Sequence, residues 1–138
     1  NYIMGTRSLT FVYTDHYEGE TPVPIVNMYR QFDGYPSGHG AELAEFLNSF
    51  NAIVNGIPFD EKRKVANGMG CLAAQMIAHF KTSVGGFYIY PVTSKDCGQD
   101  YEYHIYSDRI TVFGWDNEHL FTGPWIQFAK FCTEKEDA

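Results

Sequence analysis

The sequence contains little positive charge. Ten Lys and Arg residues stand against 17 Asp and Glu residues, so the 138-residue chain has a formal net charge of −7. A protein that holds a nucleic-acid backbone needs clustered Lys and Arg to neutralise the phosphates. The composition therefore predicts no nucleic-acid partner. A small anionic ligand is still compatible with it, because a few local cations are enough to bind one.

Cysteine is scarce and does not form pairs. The three cysteines, Cys71, Cys97 and Cys132, are odd in number, widely spaced and without a CxxC motif. This pattern argues against a disulfide scaffold and against a structural zinc site. Free cysteines of this kind are typical of a reducing cytoplasm.

Long apolar runs are also absent. No stretch approaches the length of a membrane span, and no basic segment followed by an apolar one opens the sequence. We therefore expect no membrane partner.

Motifs that mark common enzyme sites are missing: there is no GxSxG, phosphate-binding P-loop or HExxH. His16, His39 and Asp33 fall in loop-like segments and are candidates for a metal site or an acid–base pair. Nothing in their spacing brings them together. We therefore expect a non-catalytic protein without a metal or cofactor, and keep a metal-assisted phosphodiesterase or hydrolase as the alternative.

What the sequence does contain is hydrophobic patterning typical of one α+β domain. Period-two alternation predicts strands, and apolar residues at helical spacing predict helices near residues 41–50 and 69–80. Residues 118–130 suit a helix or a strand. The order of strands, helices and strands predicts an antiparallel sheet of about five to six strands with two main helices packed on one face. We expect one domain over residues 1–138, with a flexible tail at 132–138.

Residues 30–40, RQFDGYPSGHG, form a glycine-rich loop that precedes the first predicted helix. Such a loop can offer free backbone N–H groups and the positive end of a helix dipole to an anion. Its candidate ligand-binding residues are Arg30, Asp33, Gly34, Tyr35 and His39. The alternative is a connector whose Gly and Pro residues only turn the chain. In that case the pocket should lie around Arg109 alone.

Arg109 begins a predicted strand beside a tight turn. Guanidinium groups bind phosphates through two hydrogen bonds and also stack on bases. Aromatic residues are plentiful, and we take five as candidates for stacking on a purine: Tyr29, Tyr35, Phe87, Tyr101 and Trp115. Core packing is the alternative role for each of them. Basic residues flank the second helix, either as a solvated face or as a separate anion site: Lys62, Arg63, Lys64 and Lys81.

Three segments together, MGTRSLTFVY, MYRQFDGYPSGHG and AELAEFL, resemble the first described Thoeris anti-defence family of phage proteins. The resemblance covers most of the chain, and its most distinctive part surrounds DGYPSGHG. Members of that family bind cyclic ADP-ribose isomers, which bacterial TIR-domain proteins make upon infection. They hold this signal without cleaving it, so that the downstream effector is not activated.

The resemblance implies a signal-sequestering sponge that acts in the cytoplasm of an infected bacterial host. It implies that Arg30 and Arg109 grip the ligand, with an aromatic contact from Phe87. It also implies a homodimer that can assemble into a hexamer, and a second site for cyclic oligonucleotides around Arg63 and Lys81. An interfacial ligand site shared by two chains is a further expectation. A phage structural or interaction protein is the remaining alternative.

Overall fold

The computed structural model describes residues 5–134. Eight strands lie in this range: β1 Ser8–Tyr13, β2 Pro24–Arg30, β3 Ala52–Val54, β4 Val65–Asn67, β5 Phe87–Tyr90, β6 Tyr101–Ile105, β7 Ile110–Phe113 and β8 His119–Gly123. The helices are α1 Ala41–Asn48, α2 Gly68–Phe80 and α3 Trp125–Glu134. A π-helical turn, Pro36–Gly40, leads into α1, and a 3₁₀ turn, Trp115–Asn117, precedes β8.

The main sheet has six strands in the order β5-β2-β1-β6-β7-β8, which confirms the α+β class and the predicted strand number. Strands β1 and β2 form an antiparallel pair, with Leu9 opposite Tyr29. The sheet is mixed rather than antiparallel, because β1 and β6 run parallel, with Leu9 opposite Glu102. The reason is that the chain enters both strands from the same edge, where Asp100 N donates to Arg7 O at 2.9 Å.

Helix α2 confirms the predicted amphipathic helix, since its apolar residues are buried: Met69, Leu72, Ala73, Met76 and Phe80. The segment 118–130, for which the sequence left helix and strand open, contains both: residues 119–123 form β8, and α3 begins at Trp125. Phe128 and Cys132 of α3 are fully buried in the core. The predicted tail is therefore wrong for residues 132–134, while 135–138 lie outside the described residues. None of the helices in residues 5–134 is long and apolar enough to cross a lipid bilayer.

The alternation along β1 separates two faces of the six-stranded sheet. Val12 joins the main core beneath the helices, and Thr10 is buried on that same side against His39. Phe11 and Leu9 point to the other face, where they cluster with Tyr29. We call this second side the open face, because in the described chain the helical core lies on the opposite side. Segments between strands, including residues 92–100 and the turn at 114–117, border it.

Candidate functional site

The glycine-rich loop satisfies its own backbone donors. Five of its N–H groups donate to carbonyl oxygens of the same chain: those of Gln31, Gly34, Gly38, His39 and Gly40. Gly34 N donates to Thr6 O at 2.8 Å, and an added Cβ on Gly34 would lie 2.8 Å from the carbonyl carbon of Arg7. The glycine therefore permits close approach of two backbone segments. These hydrogen bonds support a structural role for the loop, because the five donors are occupied.

Arg30 is held inside the protein, at the border of the helical core. Its Nη1 lies 2.9 Å from Glu42 Oε1 and 3.1 Å from His39 Nδ1. Its Cζ lies 4.9 Å from the centroid of the Phe87 ring, and the side chain is only 12% exposed. The structure thus brings three predicted ligand residues together, Arg30, His39 and Phe87, but as partners of one another.

His39 is fully buried, and its Nε2 lies 2.8 Å from Thr10 Oγ1. Burial, and then the charge of Arg30, lowers the pKa of His39 to about 3. Since a guanidinium only donates, Nδ1 of the neutral ring accepts from Arg30 and Nε2 donates to Thr10. His39 is therefore an internal hydrogen-bonding residue.

The remaining predicted loop residues do not assemble a metal site. Asp33 has a left-handed backbone, with φ of 62°, and accepts a hydrogen bond of 3.2 Å from the Tyr35 hydroxyl. His16 lies elsewhere, beside a cavity that is also lined by Asp15. Within residues 5–134, no three His, Cys, Asp or Glu side chains are grouped so that they could hold a metal ion.

Arg63 and Lys81, predicted for a second anion site, each have partners close in sequence. Arg63 Nη2 lies 3.0 Å from Glu61 Oε1 on the protein surface. Lys81 Nζ donates to the carbonyl oxygens of Gly85 at 2.9 Å and Phe87 at 2.7 Å. Arg63 and Lys81 therefore have separate partners, and none of the cavities described for residues 5–134 is lined by both.

Arg109 differs from Arg30 because its guanidinium is presented outward. Its side chain is 43% exposed, and its Cζ lies 4.0 Å from the centroid of the Tyr106 ring. The Tyr106 ring in turn stacks on Tyr13, with centroids 4.2 Å apart. Arg109 Nη1 forms an ion pair with the exposed carboxylate of Asp108 at 2.9 Å. A flat, half-exposed guanidinium on an aromatic ring is suited to gripping a phosphate.

Two adjoining cavities on the open face form what we call the open-face groove. They have volumes of about 330 and 300 Å³ and share Lys95, Glu102 and Asn117. Predicted aromatic residues Tyr101 and Trp115 line the first cavity. The second is lined by residues of β1 and β6 together with nearby loops: Phe11, Tyr13, Pro24, Val92 and His104.

Trp115 stands at the mouth of the groove and is 71% exposed. The two residues after it, Asp116 and Asn117, have left-handed backbones with φ of 59° and 60°. Such conformations cost free energy in residues other than glycine and cluster at functional sites. An exposed indole on a turn of this kind is suited to stacking on a ligand.

A hydrogen-bonded chain runs through the second cavity. Tyr13 Oη lies 2.7 Å from His104 Nδ1, and His104 Nε2 lies 2.9 Å from Glu102 Oε1. The hydrogen bond from His104 lowers the pKa of Glu102, whereas burial raises the pKa of Tyr13. The His104 ring also stacks on Phe11, with centroids 4.9 Å apart and planes 12° from parallel. At neutral pH these hydrogen bonds therefore link the Glu102 carboxylate, the His104 imidazole and the neutral Tyr13 phenol.

The polar groups of the groove are mostly acceptors. Four carboxylates line it, those of Asp96, Asp100, Glu102 and Asp116, against the single ammonium of Lys95. Carboxylates of this kind accept hydrogen bonds from ribose hydroxyls in nucleotide sites. The groove therefore combines surfaces for a planar ring, acceptors for hydroxyl or amino groups, and one cation, Lys95.

Sequence reasoning named Tyr101, Trp115 and Arg109 but missed the centre of the groove. Phe11, Tyr13, Glu102 and His104 were not among the candidates. Period-two alternation places Glu102 and His104 on one face of β6, which was a usable signal. It does not say that this face stays outside the helical core.

The chain was compared with protein-family models, with curated protein sequences and with solved structures, and nothing matches it in any of the three comparisons. What the chain binds must therefore be inferred from the groove and from the resemblance of its sequence.

Proposed function

We propose that this chain is a phage anti-defence sponge that binds a TIR-derived cyclic ADP-ribose isomer without cleaving it. By holding the signal in the cytoplasm of the infected bacterial host, it keeps the effector from being activated. The sequence resemblance supplies the ligand class. The observation that carries the proposal is the open-face groove, in which aromatic rings, hydrogen-bond acceptors and the ammonium of Lys95 lie along one side of the sheet.

The aromatic side chains of the groove suit the purine. His104 and Phe11 already stack in parallel, and Trp115 leaves most of its ring exposed at the mouth. Base–aromatic stacking contributes roughly 1–3 kcal/mol per base when tested by alanine substitution. A purine that enters the groove can therefore gain a substantial part of its binding free energy from these rings.

The carboxylates suit the two riboses of the ligand. Asp96 and Asp100 lie on the loop before β6, and Asp116 lies on the turn after β7. Asp100 accepts a hydrogen bond from Arg7 N and Asp96 accepts one from Gly98 N. A carboxylate has about four acceptor positions, so each can also accept from sugar hydroxyls. A diphosphate is repelled from the same positions by like charge. The riboses therefore belong in the first cavity.

The diphosphate requires the cations. Lys95 lines both cavities, and Arg109 lies beyond Tyr13 on the stacked Tyr106 ring. An ammonium and a guanidinium provide charge-assisted hydrogen bonds, which are about twice as strong as neutral ones. We assign the phosphates to these two side chains, with Arg109 the stronger contributor because its flat face is fixed by Tyr106.

We further propose that the chain acts as a homodimer that can assemble into a hexamer, as the resemblance implies. Strand β5 is an edge of the described sheet, with only β2 beside it. Tyr88 and Ile89 on this strand are exposed and apolar, and the strand carries no charged residue to discourage pairing. A second copy that docks there would extend the sheet.

Titration calorimetry with a cyclic ADP-ribose isomer tests the proposal. We expect tight binding to the wild-type protein and a loss of at least about tenfold in affinity for Arg109→Ala and for Trp115→Ala. Arg63→Ala is the matched control, because it removes an exposed arginine outside the groove. The control should keep full affinity for this ligand, and it should weaken binding of a cyclic oligonucleotide if the second site exists. Unchanged affinity of both Arg109→Ala and Trp115→Ala would rule out the proposed site, which consists of the groove and the neighbouring Arg109.

A further inference from the structure

The segment that joins β5 to β6, residues 91–100, supplies side chains to both cavities of the open-face groove. Its residues in the lining are Val92, Lys95, Asp96, Gly98, Gln99 and Asp100. Among the described residues that line the groove, Lys95 is the only lysine or arginine, and it lines both cavities. The position of this ammonium therefore depends on how the segment is held against the sheet.

Asn27 holds the beginning of this segment. Its side chain is fully buried on β2, opposite Phe11 of β1. Asn27 Nδ2 donates to Pro91 O and to Ser94 O, at 3.1 Å each. Both partners are carbonyl oxygens, which only accept, so the orientation of the amide is fixed. Ser94 N also donates to Pro91 O at 3.0 Å, and Asn27 therefore closes a turn, residues 91–94, that Lys95 follows directly.

The other end of the Asn27 amide has no partner. Within residues 5–134, the buried Oδ1 of Asn27 accepts no hydrogen bond. A buried acceptor without a donor lowers the stability of the fold. Pro91 is exposed and Ser94 is partly exposed, so water can reach this turn if Asn27 is lost. Asn27 thus fixes one geometry of the 91–94 turn at a cost that an apolar side chain of similar size would avoid.

Gln99 fixes the main chain of Lys95 from the other side. Its Nε2 donates to Lys95 O at 2.7 Å and to Glu102 Oε2 at 2.8 Å. The main chain at Lys95 is therefore anchored twice, to β2 through Asn27 and to β6 through Gln99. Removal of the Asn27 amide releases the first of these anchors.

We propose, on the basis of the sponge function above, that Asn27 is a positioning residue for ligand binding, which acts through the 91–94 turn to hold Lys95 where the two cavities meet. Asn27 is fully buried and is not part of the lining, so it does not touch the ligand. A turn that is already fixed loses less conformational entropy when Lys95 binds a phosphate. Asn27 should therefore strengthen binding only while Lys95 is present.

A double-mutant cycle between Asn27 and Lys95 tests this dependence. The affinity of the full chain for a ribose–ribose-linked cyclic ADP-ribose is measured by titration calorimetry. We expect a loss of about fivefold for Asn27→Leu and of at least about tenfold for Lys95→Ala. In the Lys95→Ala background, Asn27→Leu should change the affinity by less than about twofold. A residue that only stabilises the fold would not show this coupling.

Asn48→Leu is the matched control. Asn48 Nδ2 also donates to two backbone carbonyl oxygens, those of Ala44 and Trp125 at 2.9 Å each, but it does so between α1 and α3, outside the groove. This variant should keep the wild-type affinity. An equal loss of affinity in Asn48→Leu and Asn27→Leu would overturn the inference, because the effect would then not be specific to the 91–94 turn.

Full affinity in Asn27→Leu, or the same loss with and without Lys95, would also overturn the inference and leave the proposed function standing. Absence of binding by the wild-type protein would instead overturn the proposed function, and this inference with it. If a variant does not fold or binds too weakly to measure, hydrogen exchange of the wild-type protein decides. Exchange at Ser94 N, which donates to Pro91 O, should slow by at least about tenfold when the ligand binds, and an unchanged rate would overturn the inference.

Discussion

Arg30 and Arg109 lie near opposite ends of strand β1 and on opposite faces of the six-stranded sheet. Arg30 pairs with Ser8, where β1 begins, and its side chain faces α1. Arg109 covers Tyr106, which stacks on Tyr13 at the last residue of β1. Five residues of strand separate these ends by roughly 17 Å. One ligand cannot contact both guanidinium groups within one chain, so the two arginines have different roles in the monomer.

Arg30→Ala should destabilise the fold. The substitution removes the partner of His39 Nδ1, the ion pair with Glu42 and the contact with Phe87. We expect the free energy of unfolding to fall by about 1–3 kcal/mol, because a buried hydrogen-bonding group loses its partner. Urea unfolding of the apo protein measures this change.

Arg109→Ala is the matched comparison, since its exposed ion pair contributes little to stability. Its unfolding midpoint should stay close to that of the wild-type protein, while its ligand retention falls. If Arg30→Ala kept the stability of the wild-type protein while Arg109→Ala lost stability, the roles assigned to the two arginines would be contradicted.

Gly34→Ala should destabilise the protein through close contact. The new Cβ would lie 2.8 Å from the carbonyl carbon of Arg7 and 2.9 Å from Ser8 Cβ. We expect a loss of about 1–3 kcal/mol, because two backbone segments would have to separate. Gly70→Ala is the control: it lies in α2 with nothing within 4 Å of the new Cβ, and alanine favours helix by up to about 1 kcal/mol. Thermal melts of the two variants should therefore shift in opposite directions.

The sequence predicted the parts of the fold that depend on local patterning. Met69, Leu72, Met76 and Phe80 recur at helical spacing, and they form the buried side of α2. The polarity of β6 beside β1 was not predictable in the same way, because alternation reports which residues share a face and not the direction in which strands pair. Cys132 was assigned to a tail for a similar reason: burial of the α3 end depends on contacts that are distant in sequence.

In the candidate site, too, the residues that could be predicted are those with a local sequence signal. Arg109 and Trp115 could be named from residue type and a neighbouring turn. Tyr13 and His104 lie about 90 residues apart and meet only because β1 and β6 are neighbours in the sheet. A single sequence contains no signal for that pairing. For the glycine-rich loop, the composition suggested free N–H groups for an anion. In the structure those N–H groups donate to Thr6 O, to Gly86 O and to carbonyl oxygens within the loop.

The stability of the protein should depend on pH through His39. Burial lowers its pKa to about 3, against 6.5 for the exposed side chain. Above about pH 6.5 the ring is neutral in both the folded and the unfolded state, so it causes no pH dependence. Between that pH and about 3, only the unfolded state takes up the proton. The free energy of unfolding then falls by up to about 1.4 kcal/mol per pH unit as the pH is lowered.

Urea unfolding at pH 7.5 and pH 5.0 measures this effect in the wild-type protein and in His39→Gln. Between the two pH values, the wild-type protein should lose about 2 kcal/mol more stability than the variant. His119→Gln, which changes an exposed histidine, should behave as the wild-type protein does. Equal losses in the wild-type protein and His39→Gln would show that His39 titrates normally.

Ligand binding should change the fluorescence of Trp115. Its ring is exposed at the mouth of the groove, so a stacked purine would quench it. The other tryptophan, Trp125, donates through Nε1 to the carbonyl oxygens of Tyr106 and Arg109 at 3.2 Å each, away from the groove mouth. Trp125→Phe should keep the quenching and Trp115→Phe should lose it. Quenching that depends on Trp125 alone would place the ligand elsewhere.

The most direct measurement identifies what the protein releases. The chain is incubated with a cyclic ADP-ribose isomer, freed of unbound ligand by gel filtration and denatured by heat, and the released compound is identified by chromatography and mass spectrometry. We expect the intact cyclic nucleotide from the wild-type protein and none from Arg109→Ala. A cleaved nucleotide would show an enzyme in place of a sponge. No retained nucleotide at all would contradict signal binding.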